Sequence, residues 1–276
     1  MNASLHLAFE KGQNGTTVLH LRRQDPPWRV VRAFGSLVHL HNVSGGVLSG
    51  DHLELRATLS PGVRAQITTT GATRIYRRRA GTGPSTCAAH FELGSGSLLE
   101  LLPDPVIPYA SSACAQHTTV DLATGATLFW WEVLAPGREA SGEVFRYERL
   151  CTDTEIRSAG VPIAIDRALL TPQSRPLDSA ARLGPCRYLC TLHVCRSGEA
   201  AAVWGRLEDC LAAIARRRME AEDGVRWGVS PLVQDGVVVR GIAVRGPSVT
   251  GGLREFWQAA RLLLTGEPAS PPRKIY

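Results

Sequence analysis

The chain has 276 residues, 44% of them hydrophobic and 20% charged. That is enough to bury a sizeable core without disulfides, and too apolar for a disordered chain. The N-terminal stretch shows no basic segment followed by an apolar one, and no run approaches the roughly eighteen apolar residues of a membrane helix, so a soluble, cytoplasmic protein with no membrane partner is expected.

The formal net charge of +6 comes almost wholly from arginine, Lys11 and Lys274 being the only lysines. Genome composition explains such a bias, and so does an acidic partner, because guanidinium pairs bidentately with carboxylates. The arginines are dispersed, with short runs only at 77–79 and 216–218, and no nucleic-acid-binding motif accompanies them. The seven cysteines are odd in number and scattered, as expected of reduced thiols.

In chain order, period-two alternation marks short strands at 4–9, 17–21 and 36–41. Leu53, Leu55, Ala57 and Leu59 then alternate with polar residues. After Ser60-Pro61-Gly62, so do Val63, Ala65, Ile67 and Thr69, which predicts a hairpin with a short Pro-Gly loop. Further runs at 97–102, 118–122, 127–133 and 143–150 extend the all-β pattern, in stacked or solenoid-like sheets, without a repeat of fixed period. Apolar spacings of three and four predict two amphipathic helices, at 199–221 and 253–265, with Gly266 as the stop. A proline-rich tail follows at 268–276.

No nucleophile elbow, phosphate loop, dinucleotide fingerprint or His-Glu-x-x-His helix is present. Cys186, Cys190, His193 and Cys195 form the densest cluster of soft ligands. Their spacing is wrong for a closed zinc site, and on a strand Cys190 points away from His193 and Cys195, so a plain strand is favoured. His39 and His41 share a strand face but lack a third ligand, and a solvated face is expected there. The glycines around 45–50 precede a strand, which suits a turn better than a phosphate cradle. Glu100 and Asp104 border a segment stiffened by Pro103, Pro105 and Pro108, which fits either a structural corner or a lined passage. On residues alone, a β-rich hydrolase or isomerase with an unrecognised active site remains the alternative.

Five blocks, in order, resemble the urease accessory proteins called UreD, or UreH in some systems. They are Gly45-Gly46-Val47-Leu48-Ser49-Gly50-Asp51; Pro61-Gly62 with Ile67-Thr68-Thr69-Thr70 and Ala72-Thr73-Arg74-Ile75-Tyr76; Leu102-Pro103-Asp104-Pro105 with Ile107-Pro108-Tyr109; Trp131-Glu132-Val133-Leu134-Ala135-Pro136-Gly137-Arg138 with Gly142-Glu143; and Pro271-Pro272-Arg273-Lys274-Ile275-Tyr276. Arg74 stands where lysine is also common and Tyr109 where phenylalanine is common, and 151–250 carries few family residues. The resemblance implies one predominantly β domain over 1–276 with a pair of helices. It implies a scaffold rather than an enzyme, required for urease maturation by nickel insertion. Such a scaffold would bridge apo-urease to UreF-like and UreG-like partners, the latter supplying GTP hydrolysis. It implies no tightly bound cofactor, a transient nickel ion as cargo, and Glu100 and Asp104 on or near a weak, exchangeable nickel route.

Overall fold

Short alternating runs favour pleated strands that each bury one face, and two such sheets can cover one another. The computed structural model describes residues 1–272 and, at 32–34, the backbone alone; residues 273–276, which include most of the terminal family block, lie outside the described residues. In one sheet the neighbours run β14 (Val161–Leu170), β13 (Arg149–Ser158), β11 (Ala113–Leu122), β8 (Ser85–Leu93), β5 (His52–Leu59), β1 (Asn2–Lys11) and β2 (Thr17–Gln24). In the other they run β16 (Val225–Pro231), β17 (Gly236–Ala243), β15 (Tyr188–Arg196), β12 (Thr127–Leu134), β9 (Leu98–Leu101), β6 (Arg64–Thr69), β4 (Leu37–Asn42) and β3 (Trp28–Phe34). The short strands β7 (Thr73–Ile75) and β10 (Val106–Pro108) form a side ladder on β12.

The centres of both sheets are parallel: β1, β5, β8, β11 and β13 in the first, β4, β6, β9 and β12 in the second. The chain crosses from sheet to sheet at β5–β6, β8–β9 and β11–β12, as the coils of a solenoid do. Along one edge these crossings are tight turns stacked on each other. Gly62, Gly96 and Gly125 occupy the left-handed region at φ 71°, 64° and 74°, where a side chain is strained. Their N–H groups donate to Ser95, Thr124 and Ser197 of the next coil at 2.9, 3.0 and 2.9 Å. The opposite edge carries the long connections.

Two expectations are corrected. Strands β5 and β6 do not form a hairpin: β5 pairs with β1 and β8, and β6 with β4 and β9. Alternation records which face is buried, not which strand is bonded. Leu55, Ala57 and Leu59 share one inter-sheet core with Ala65 and Ile67, so an arch and a hairpin read alike. Nor is 143–150 a strand, since β13 begins at Arg149. Phe145 and Tyr147 imitate alternation because both are buried from a loop.

Helices α1 (Ala201–Ala221) and α2 (Gly246–Thr265) cover the outer face of the second sheet. Leu207, Leu211, Leu253, Phe256 and Trp257 pack there against Phe129, Leu192, Val194 and Val239. Helix α2 starts seven residues before the expected 253, with Pro247 in its first turn, the early part being disguised by Gly251 and Gly252. It ends as expected, Gly266 taking a left-handed conformation (φ 72°) with its N–H on the Leu262 carbonyl. No described helix is long and apolar enough to cross a membrane.

Candidate functional site

Toward β12–β15 and β13–β14 the inter-sheet core stops being apolar. The inward positions there are Gln116 and Thr118 on β11, Trp130 and Glu132 on β12, Thr152 and Thr154 on β13, Asp166 on β14, and Thr191 and His193 on β15. Polar groups at positions that should fill a core leave space between the sheets. One cavity of about 500 Å³ runs past Glu132, His193 and Asp166. A second, of about 350 Å³, runs past Trp130, Thr69 and Asp104 to the glycines at 45 and 46. They meet at Glu132, since Val106, Gln116, Glu132 and Val133 border both.

Glu132 is enclosed by protein yet keeps some exposure because it faces this lumen. Its carboxylate has no hydrogen bond or ion pair among the described residues. Burial, with the nearby Asp166 carboxylate adding to it, pushes its pKa up to about 7. On the neighbouring strand the His193 ring lies 5.4 Å from the Trp130 ring, and neither of its nitrogens has a partner among the described residues. Burial is the main cause that pushes its pKa down to about 4. Asp166 is held at 2.9 Å by Arg240 of β17, and this half-exposed ion pair stands where the lumen reaches the surface.

The two carboxylates singled out from the sequence face different surroundings. Glu100 does not line the lumen. It is buried against α2, accepting hydrogen bonds from Arg261 (2.9 Å), Trp257 (2.9 Å) and Gln66 (3.1 Å). Desolvation raises its pKa, and the Arg261 guanidinium opposes that rise without cancelling it. Arg261 also binds the Glu267 and Pro268 carbonyls, so this knot fixes the start of the tail. Asp104 does border the lumen, its Oδ2 accepting from Thr69 Oγ1 at 2.9 Å.

The family-like blocks converge on the edge with the long connections. A Cβ on Gly46 would lie 2.4 Å from the Arg74 carbonyl, so only glycine lets these segments touch. Asp51 caps Leu48 N–H at 2.9 Å and pairs with the N-terminal ammonium at 3.2 Å, just after Gly50. Tyr76 meets Tyr109 edge-on at 5.1 Å, next to Pro108. Arg138 covers the Tyr109 ring at 4.4 Å, and Glu143, held by Arg138 across the Gly137 and Gly142 turn, accepts from Ala110 N–H at 3.0 Å. Thr73 N–H donates to the Pro105 carbonyl, and Trp131 Nε1 to that of Pro103, both at 2.9 Å.

Of the soft-ligand cluster, Cys190 and Cys195 are buried on opposite faces of β15, one under the helices and one between the sheets. All seven cysteines are free thiols. His39 is fully buried rather than on a solvated face, because the second sheet is covered on both sides, while His41 is exposed and bonds Thr70 Oγ1 at 2.7 Å. Among the described residues no three His, Cys, Asp or Glu side chains converge as a metal cage.

Two stacked sheets around a lumen set with a few polar side chains, buttressed by a helix pair and a glycine-dependent loop edge, define a β-scaffold with an internal cavity. Over residues 1–275 the chain matches the family model described as UreD urease accessory protein. It is 41% identical to the urease accessory protein UreD of Herpetosiphon aurantiacus, covering 100% of this chain and 97% of the relative. It is 32% identical to UreD of Opitutus terrae over 94% of this chain and 93% of that one. To UreD of Marinobacter nauticus it is 31% identical over 98% and 91%. The chain belongs to the UreD family of urease accessory proteins, and its role lies in urease maturation.

Proposed function

We propose that this protein is a scaffold through which nickel reaches apo-urease, joining urease to UreF-like and UreG-like partners, with the ion as cargo in the lumen between the sheets. The observation that carries the reading is Glu132, a carboxylate without a protein partner among the described residues, at the junction of the two cavities. Nickel(II) is borderline in softness and accepts both carboxylate and imidazole. Asp104, Glu132, His193 and Asp166 spread such groups along the lumen rather than gathering them. A conduit needs sites that bind well enough to admit an ion and weakly enough to release it. With its pKa about 7, Glu132 is part protonated at neutral pH, so an arriving cation exchanges for a proton.

In this reading Asp104 is a contact toward the loop edge, and Glu100 acts at one remove by seating α2 and the tail. Glu132→Gln keeps the shape and removes the charge. Co-expressed with urease and the other accessory proteins, it should lower urease activity and bound nickel about tenfold or more while still co-purifying with urease. A folded, co-purifying variant that activates urease fully would contradict the reading.

A further inference from the structure

The same long-connection edge carries a second feature, in exposed arginine. Arg77, Arg78 and Arg79 follow β7, Arg146 lies in the loop before β13, and Arg149 opens that strand. Backbone bonds stack these corners: Arg78 N–H donates to the Ser111 carbonyl at 2.9 Å, Ser111 N–H to that of Arg146 at 2.9 Å, and Arg149 N–H to that of Ser112 at 3.2 Å. Residues distant in sequence thus form one basic face. Its one acidic member, Glu148, is taken by Arg78 at 2.9 Å. The guanidinium groups of Arg77, Arg79, Arg146 and Arg149 have no partner among the described residues. Several exposed arginines on the strands of the first sheet are instead paired, as in Arg22–Glu10, Arg56–Glu54 and Arg167–Asp153.

Beside this face lies a cleft of about 430 Å³, bordered by Arg78, Arg149, Pro84, Ala113 and Gln173. Unpaired like charges on a rigid edge repel one another, and a ligand carrying several carboxylates relieves that repulsion while satisfying the guanidinium forks. We propose that this face is a docking surface for an acidic segment of a protein partner, an extended peptide whose carboxylates meet the arginines and whose apolar stems lie along Pro84 and Ala113. Glu148 within the row and the apolar floor fit such a peptide better than a continuous line of phosphates. The inference stands apart from what the lumen carries.

The test is fluorescence anisotropy of the full chain with a labelled poly-glutamate peptide and, separately, a labelled DNA duplex. Binding of the peptide should weaken as salt rises. The triple variant Arg77→Ala, Arg79→Ala, Arg146→Ala should lose about tenfold or more in affinity, as the loss of several charge-assisted contacts gives. The double variant Arg22→Ala, Arg167→Ala should bind as the parent does. Circular dichroism and melting of the triple variant should match the parent's, because none of the three replaced edge guanidiniums holds a structural contact, and the double variant gives up two exposed ion pairs each worth about 1 kcal/mol or less. No peptide binding by the parent, equal loss in both variants, or DNA bound at least as tightly as the peptide would each overturn the proposal.

Discussion

Burial acts on Glu132 and His193 in opposite senses. The folded pKa of Glu132, about 7, lies above its ordinary 4.5, so the native state holds a proton the unfolded chain has released. Its contribution to stability is complete below pH 4.5 and is lost as pH rises to 7, by about 2 kcal/mol after discount for the solvent that reaches it through the lumen. His193, about 4 against an ordinary 6.5, contributes fully above pH 6.5 and loses that contribution as pH falls to 4. In the metal-free protein the two slopes oppose each other between pH 4.5 and 6.5. His193→Gln should therefore lose stability as pH rises across that window, and Glu132→Gln should gain it and exceed the parent above pH 7. Urea-denaturation midpoints across pH measure this, and parallel profiles for all three proteins would sink it. Glu132 was legible as part of a family block but not as a lumen residue. Asp166, Arg240 and His193 lie where family residues are sparse, and four strands distant in sequence bring them to Glu132. The available sign was weak: polar residues at alternate positions of 150–170 where a sheet core needs apolar ones.

At the scale of elements, alternation and helical spacing located both helices and β1, β2, β4, β5, β6, β9, β11 and β12, because burial of one face leaves its period in the sequence, whereas β3, β8, β13, β14, β16 and β17 went unmarked. Partner and boundary were less visible. Whether Ser60-Pro61-Gly62 closes a hairpin or crosses between sheets depends on the neighbours of β5 and β6, which local residues do not encode. The early start of α2 was hidden because Gly252 looks like a helix breaker, yet a Cβ there would meet Trp227 Cζ2 at 2.2 Å. A Cβ added to Gly241 of β17 would come as near the same ring, at 2.3 Å from Cζ3, so the indole sits between two glycines. Alanine at a helical glycine gains about 1 kcal/mol in propensity, but overpacking a filled core costs about 1–3 kcal/mol. Gly252→Ala should therefore destabilise by up to about 2 kcal/mol, read as a lower denaturation midpoint with unchanged slope; a stabilised variant would show that α2 is seated differently.

For the whole molecule, parallel coils leave one edge of tight turns and one of long connections, and the lumen runs between the sheets to both the motif-bearing edge and the β14–β17 side. For the proposed function such an arrangement separates the tasks: the coils and helices hold shape, the loops offer contact surfaces, and the space between the sheets takes the cargo. Ala168 lines the wider cavity from the edge strand β14, away from the loop edge, and tryptophan there has room within about 500 Å³. Ala168→Trp should fold and bind its partners yet obstruct passage. The most direct measurement is transfer of radioactive nickel from a nickel-loaded UreG-like partner to apo-urease through the assembled accessory complex, with a chelator in the surrounding solution. Transfer by the parent and its loss with Ala168→Trp in an intact complex is the predicted result. Undiminished, chelator-resistant transfer through the blocked variant would contradict a route between the sheets.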